Sequence, residues 1–346
     1  MSKLIKMDLK KSTASKTTKS SIVLMGIGLG FIGLSIRKLL RRYAVNRLTA
    51  PARVTGKETP AAYGLNFEEV WFHSRDNLRL HGWYIPAENS KATIITAHGY
   101  SGCKISDLRY AHWLWQAGYN VFMFDFRAHG LSEGLRGTSL GYLERLDIHA
   151  AVDYLLGLGE RRIGVFGISM GASAAIIAAG ENPHLSAVVA DSPYSHLFRS
   201  ISTEITRLYH LKMWLATPAA KFAFKAVADY QKFKVSLAHP AEYVPRISPR
   251  PIFLIHGGGD KLTRVENSQI LFELAEQPKQ LWVESGVEHG QMFEVYPAEY
   301  QRKVLEFFDK VAWQTTLQVG IPDRWEGQKR CVTLDGKTLE TRVGKS

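Results

Sequence analysis

The chain has 346 residues, 45% hydrophobic and 22% charged, which is the balance of a folded protein with a sizeable core. Its two cysteines, Cys103 and Cys331, provide neither a disulfide framework nor a zinc site. The net charge of +12 is concentrated on both sides of one apolar run near the N-terminus. That distribution suits anionic lipid headgroups and gives no support to nucleic acid as a partner.

Residues 1–20, rich in Lys, Ser and Thr, read as a basic disordered N-terminus. Ile22 to Ile36 carries no charge, and residues 21–40 are expected to form a single-pass transmembrane anchor. As a helix the run spans about 22 Å against a hydrocarbon core of about 30 Å. Ser20 and Ser21, with snorkelling Lys19, Arg37 and Lys38, would supply the difference. A cleaved signal peptide, and hence secretion, is the rival reading. The basic cluster after the run, where a small-residue cleavage site would stand, favours the anchor. Both flanks are basic, so the side of the membrane is left open.

Residues 41–64, with Pro51, Gly56 and Pro60, read as a linker. Glu69–His73 and Leu78–Ile85 form a predicted hairpin through Arg75-Asp76-Asn77. From Ala92 onward, short apolar runs alternate with helical patterns. The predicted strands are Ile94–Ala97, Val121–Phe124, Ile163–Phe166, Ala187–Ala190, Ile252–Ile255 and Gln280–Glu284. The predicted helices are Leu108–Gln116, Tyr142–Leu158, Ala172–Ala179, Val265–Ala275 and Pro297–Val311. This rhythm implies a mostly parallel sheet with helices on both faces.

Four motifs lie at the C-terminal ends of predicted strands, where open α/β sheets place their sites. They are His98-Gly99-Tyr100, Asp125-Phe126-Arg127-Ala128-His129-Gly130, Gly167-Ile168-Ser169-Met170-Gly171 and His256-Gly257-Gly258-Gly259-Asp260. Glu288-His289-Gly290 follows the last strand. In the third motif a serine stands at the apex of a strand–turn–helix. Gly167 and Gly171 let the strand and helix pass closely, and the Met170 N–H opens the helix toward the serine.

Together these motifs resemble the α/β-hydrolase superfamily, in its serine-esterase and lipase-like branch with peptidase-like and acyltransferase relatives. The resemblance covers residues 65–312 and implies an α/β-hydrolase fold with a mostly parallel sheet of the eight-stranded type. It also implies the catalytic roles: Ser169 as nucleophile, His289 as general base and Asp260 as the residue orienting the base. The backbone N–H groups of Tyr100 and Met170 would form the oxyanion hole. Asp191, which ends another strand, competes with Asp260 for the acid's place, although Asp191-Ser192-Pro193 reads better as a strand-end turn. His98, Asp125, Arg127 and His129 read as loop braces. Ala128 stands where the family usually has glycine.

Residues 195–249 hold apolar side chains at helical spacing and read as a cap or lid insertion, with a helix pair packed on the sheet as the alternative. Residues 313–346 are a polar C-terminal extension. The resulting expectation is a membrane-anchored serine hydrolase that cleaves acyl or small aromatic carboxylic esters and needs no cofactor or metal. Amide cleavage and acyl transfer use the same residues, and a non-catalytic binding protein on this fold is the contrasting reading. Oligomeric state is not encoded in any motif.

Overall fold

Neighbouring residues in each central strand face opposite cores, which is why the strand sequences read as uninterrupted apolar runs. The structure, a computed structural model, describes residues 32–313, 329–332 and 338–341. Along β3 (Thr93–Ala97), β4 (Asn120–Phe124), β5 (Ile163–Ile168), β6 (Leu185–Asp191) and β7 (Ile252–Gly257), side chains alternate between the cores, with one register shift near the start of β6. Ile95, Phe122, Val165, Val188 and Leu254 enter one core. Ile94, Val121, Phe166, Val189 and Phe253 enter the other.

Each core is roofed by helices. Residues 32–49 form α1, the first described helix. On one face of the sheet, α3 (Glu144–Gly157), α4 (Met170–Glu181) and α7 (Glu266–Leu274) contribute Ile148, Val152, Ile176 and Leu271. On the other, α2 (Leu108–Gln116) and α8 (Pro297–Asp309) contribute Leu114, Tyr300, Val304 and Phe308. Each such side chain, removed from water, is worth about 1.5–3 kcal/mol.

The sheet has ten strands in the order β10-β9-β1-β2-β4-β3-β5-β6-β7-β8, with β1 (Phe67–His73), β2 (Arg79–Ile85), β8 (Lys279–Glu284), β9 (Lys329–Val332) and β10 (Thr338–Thr341). From β4 through β8 all neighbours pair in parallel; β2 runs antiparallel to both β1 and β4. Strand order reverses at β3, because the chain passes from β3 to β4 on one side and returns to β5 on the other. That reversal opens a crevice at the carboxyl ends of β3 and β5. The C-terminal extension, which carried no readable motif, adds β9 and β10 to the edge at β1.

The expected transmembrane helix is corrected by the structure. Among the described residues, no helix is long and apolar enough to cross a membrane. The helix over residues 32–49 carries Arg37, Lys38, Arg41, Arg42 and Arg47, a charge load that hydrocarbon does not accept. Residues 22–31 of the apolar run, and the basic residues 1–20, lie outside the described residues. The linker reading also ends differently, since the helix continues to residue 49. There Val45 and Thr49 are buried, and the Thr49 carbonyl accepts the Thr138 N–H at 2.9 Å.

In the cap region, α5 (Leu197–Tyr209) and α6 (Met213–Gln231) form a helical hairpin. Their inner residues Leu197, Ile201, Ala220 and Phe224 pack with Leu140, Tyr142 and Tyr194, and Tyr100 joins the same cluster. The Gln231 amide donates to the carbonyls of Arg136, Gly137 and Thr138, fixing the base of the hairpin.

A very tight approach in the fold is between α4 and β3. A Cβ on Gly171 would stand 1.9 Å from the Ala97 carbonyl oxygen and 2.5 Å from its carbon. Gly171→Ala is therefore expected to cost at least about 3 kcal/mol, or to prevent folding, as read by urea unfolding. Near-wild-type stability would mean that the helix can lift off the strand.

Candidate active site

The turn between β5 and α4 puts Ser169 at φ 55°, ψ −114°, backbone space that side chains rarely occupy. The conformation is imposed from several sides. The Ser169 N–H donates to the Asp191 carbonyl at 2.7 Å, tying the turn to the end of β6. A Cβ on Gly167 would lie 2.6 Å from the Gly171 carbonyl carbon, so only glycine permits the crossing.

Two loops from the far half of the sheet meet this serine. Asp260 follows β7, and His289 follows β8. His289 Nε2 lies 2.9 Å from Ser169 Oγ, and His289 Nδ1 lies 2.5 Å from Asp260 Oδ2. Facing a carboxylate, Nδ1 carries the ring hydrogen, which leaves Nε2 free to accept the serine hydroxyl's proton. The Asp260 side chain is fully buried, whereas His289 keeps 23% of its side chain accessible. The imidazole is thus held from inside and reachable from outside.

Asp260 is supported at every lone pair. Oδ1 accepts the Leu262 and Thr263 N–H groups at 2.8 Å, and Oδ2 accepts the Thr263 hydroxyl at 2.8 Å. Burial alone would raise its pKa, but hydrogen bonds from His256 and His289 and their charge hold the carboxyl well below the usual range. Asp191, the competing acid, is bound elsewhere: its oxygens take the Tyr300 hydroxyl at 2.8 Å and the Ser192 hydroxyl at 2.9 Å. Burial pushes the Asp191 carboxyl up, despite those two donors.

Of the two expected oxyanion donors, Met170 follows the serine directly, and Tyr100 follows Gly99, which packs on it. Met170 opens α4, where N–H groups have no intrahelical partner. Gly99, immediately before Tyr100, approaches so closely that a Cβ on it would sit 3.5 Å from Ser169 Cβ. The Gly99 carbonyl is held by His98 Nδ1 at 2.8 Å, while His98 Nε2 accepts the Phe126 N–H at 3.0 Å. One donating and one accepting nitrogen require a neutral ring. Burial, then the nearby His129, push the His98 pKa down to about 3.

The bracing residues form buried ion pairs. Asp125 receives the Lys104 ammonium at 2.6 Å and its backbone N–H at 2.8 Å. Arg127 bridges buried Asp147 and half-buried Asp76. Ala128 adopts φ 63°, which explains why glycine is the usual residue there. Lys104 and Thr263 were missed by the sequence reading. Thr263 had a readable signal, since a hydroxyl three residues after an aspartate at a strand end can close a turn onto that carboxylate. Lys104 had none, being brought to Asp125 by the sheet. Among the described residues, no group of three His, Cys, Asp or Glu side chains is placed to hold a metal ion.

The Asp260 environment has a consequence for stability. Its carboxyl is depressed in the folded chain and ordinary in the unfolded one. It therefore contributes stability above about pH 4 that fades as pH falls below that value. The stability difference between wild type and Asp260→Asn, measured by urea unfolding, is expected to shrink between pH 6 and pH 3. A difference independent of pH would contradict the depressed carboxyl.

Comparison with known proteins places this site in a family. A family model described as serine aminopeptidase, S33, matches residues 88–235. The Pyrococcus furiosus esterase Pf2001 superposes with a TM-score of 0.63 at 32% identity, covering 75% of this chain and 99% of that one. Bacillus subtilis YqkD is 28% identical over 256 residues, 73% of this chain and 78% of its own length. Escherichia coli K12 YfhR is 28% identical over 251 residues, 69% of this chain and 80% of its own. With nearly the full length of Pf2001 matched at 32% identity, the chain belongs to the α/β-hydrolase superfamily.

Proposed function

We propose that the protein is a serine hydrolase that cleaves carboxylic esters through an acyl-enzyme. The observation that carries this reading is the hydrogen-bonded line from Ser169 Oγ through His289 to Asp260, set on a strained turn. Serine alone is a weak nucleophile. Here His289 Nε2 takes the hydroxyl proton as Oγ attacks the ester carbonyl carbon. Asp260, ionised and fixed by the donors around it, holds the ring in the productive tautomer and stabilises the imidazolium. The carbonyl oxygen becomes an oxyanion received by the N–H groups of Met170 and Tyr100.

Collapse of the tetrahedral species expels the alcohol, which leaves with the proton from His289. Water then attacks the acyl-enzyme, giving its proton to His289, and the acid departs as Ser169 regains its hydrogen. Protein groups and water complete the cycle. Phe198, Ile201 and Ile205 of the cap helix α5 cluster with Tyr100 and offer an apolar wall for the acyl group. The esterase activity in the name of Pf2001 agrees with this reaction class.

A fluorophosphonate probe is expected to label Ser169 stoichiometrically, as mapped by mass spectrometry, with labelling abolished in His289→Ala. Ser169→Ala should lose at least about a thousandfold in kcat while unfolding like the wild type. Asp260→Asn should cost far more activity than Asp191→Asn. No labelling of the folded protein would move the non-catalytic reading to the front.

A further inference from the structure

The turn of the helical hairpin gathers a cluster of exposed large apolar side chains. Every residue from Arg207 to Leu215 is exposed, including Leu208, Tyr209, Leu211, Met213 and Leu215, and Trp214 is 68% exposed. The helix over residues 32–49 continues this surface. Ile32, Ile36, Leu39 and Tyr43 recur three or four residues apart and are exposed, forming a stripe along one side. Arg37, Lys38, Arg41 and Arg42 are exposed on its other sides, where Leu34 and Leu40 are exposed too. The two pieces join, since the Tyr43 and Tyr209 hydroxyls lie 3.2 Å apart and Arg41 pairs with Asp229 of α6 at 3.4 Å. Arg47, farther along the same helix, is within electrostatic reach of both Tyr209 and Tyr100.

We infer that this surface docks onto an anionic lipid bilayer, lying in the interface without crossing it. The argument is charge complementarity joined to composition. An exposed helix with an apolar stripe and only basic charges, beside a Trp/Leu/Met turn that carries Lys212 and follows Arg207, itself paired with Glu204 at 2.7 Å, is built for a headgroup boundary. Asp229, the acid at the junction, is already occupied by Arg41 and by Lys225 at 2.9 Å. A soluble partner protein would have to match a basic rim and an aliphatic centre at once, which a phosphatidylglycerol surface does by its nature. Docked this way, the turn of the hairpin faces the lipid. On the hydrolase reading above, the substrate would then be an ester whose acyl chain is drawn from the bilayer.

The test uses the full-length chain. Vesicles of equal parts phosphatidylcholine and phosphatidylglycerol, with brominated acyl chains, should quench tryptophan fluorescence in the wild type. Trp214→Phe should show a clearly smaller loss, because the quenched ring is removed. The double variant Trp214→Asp, Leu215→Asp should partition at least about tenfold less. Phosphatidylcholine alone, or added salt, should weaken wild-type binding. Hydrolysis of a short soluble ester should be unchanged in the double variant, and Ser169→Ala should still bind vesicles, so failure of docking and failure of the hydrolase reading are separable. Equal quenching in wild type and Trp214→Phe would overturn the inference, even if the chain binds vesicles by another segment. So would a dimer by light scattering that the double variant abolishes without any quenching.

Discussion

The site depends on how closely α4 crosses the end of β3. Gly171 lies against the Ala97 carbonyl and Gly167 against Gly171, so the chain must reverse within one residue. That residue is Ser169, held at positive φ at a cost of about 1–2 kcal/mol. The same crossing lifts the hydroxyl clear of the sheet and opens α4 beneath it. It also brings Gly99 against the serine side chain. A wider crossing would relax the turn and separate the hydroxyl from the N–H groups that could receive an oxyanion. Packing and chemistry share one constraint here.

Around this point, buried titratable groups are sorted by their partners more than by depth. Asp260 and Asp191 are both buried, yet the first is held ionised by two histidines, two backbone N–H groups and a threonine, while the second has two hydroxyls and is pushed up. His98 is forced neutral and serves as a rigid link between Gly99 and Phe126. His289 alone of this group stands partly open. Its ring is therefore the one that solvent can reach.

Much of this was legible in the sequence because its causes are local. A run such as Val121–Phe124 is apolar throughout since both faces are covered, and Gly-Ile-Ser-Met-Gly between a strand and a small-residue helix has few other uses. The choice between Asp260 and Asp191 needed the third dimension. Both end parallel strands, and only the course of the final loops decides which meets His289. The helix over residues 32–49 was misread because its apolar stripe continues a charge-free run, and nothing local says that residues 41–49 stay helical or that Thr49 will bond Thr138. β9 was invisible for another reason: Lys-Arg-Cys-Val is too short and basic for an apolar alternation to show, and its partner β1 lies far earlier in the chain.

The order of the parts along the chain also bears on biosynthesis. The strained serine is assembled from strands that end at Asp191, while its imidazole partner lies 120 positions beyond it, past the hairpin, β7 and β8. A polypeptide leaving the ribosome from its N-terminus carries Ser169 as an unassisted alcohol until the closing loop has emerged. Whatever reactivity the serine has is withheld from the nascent chain and granted only to the nearly finished one.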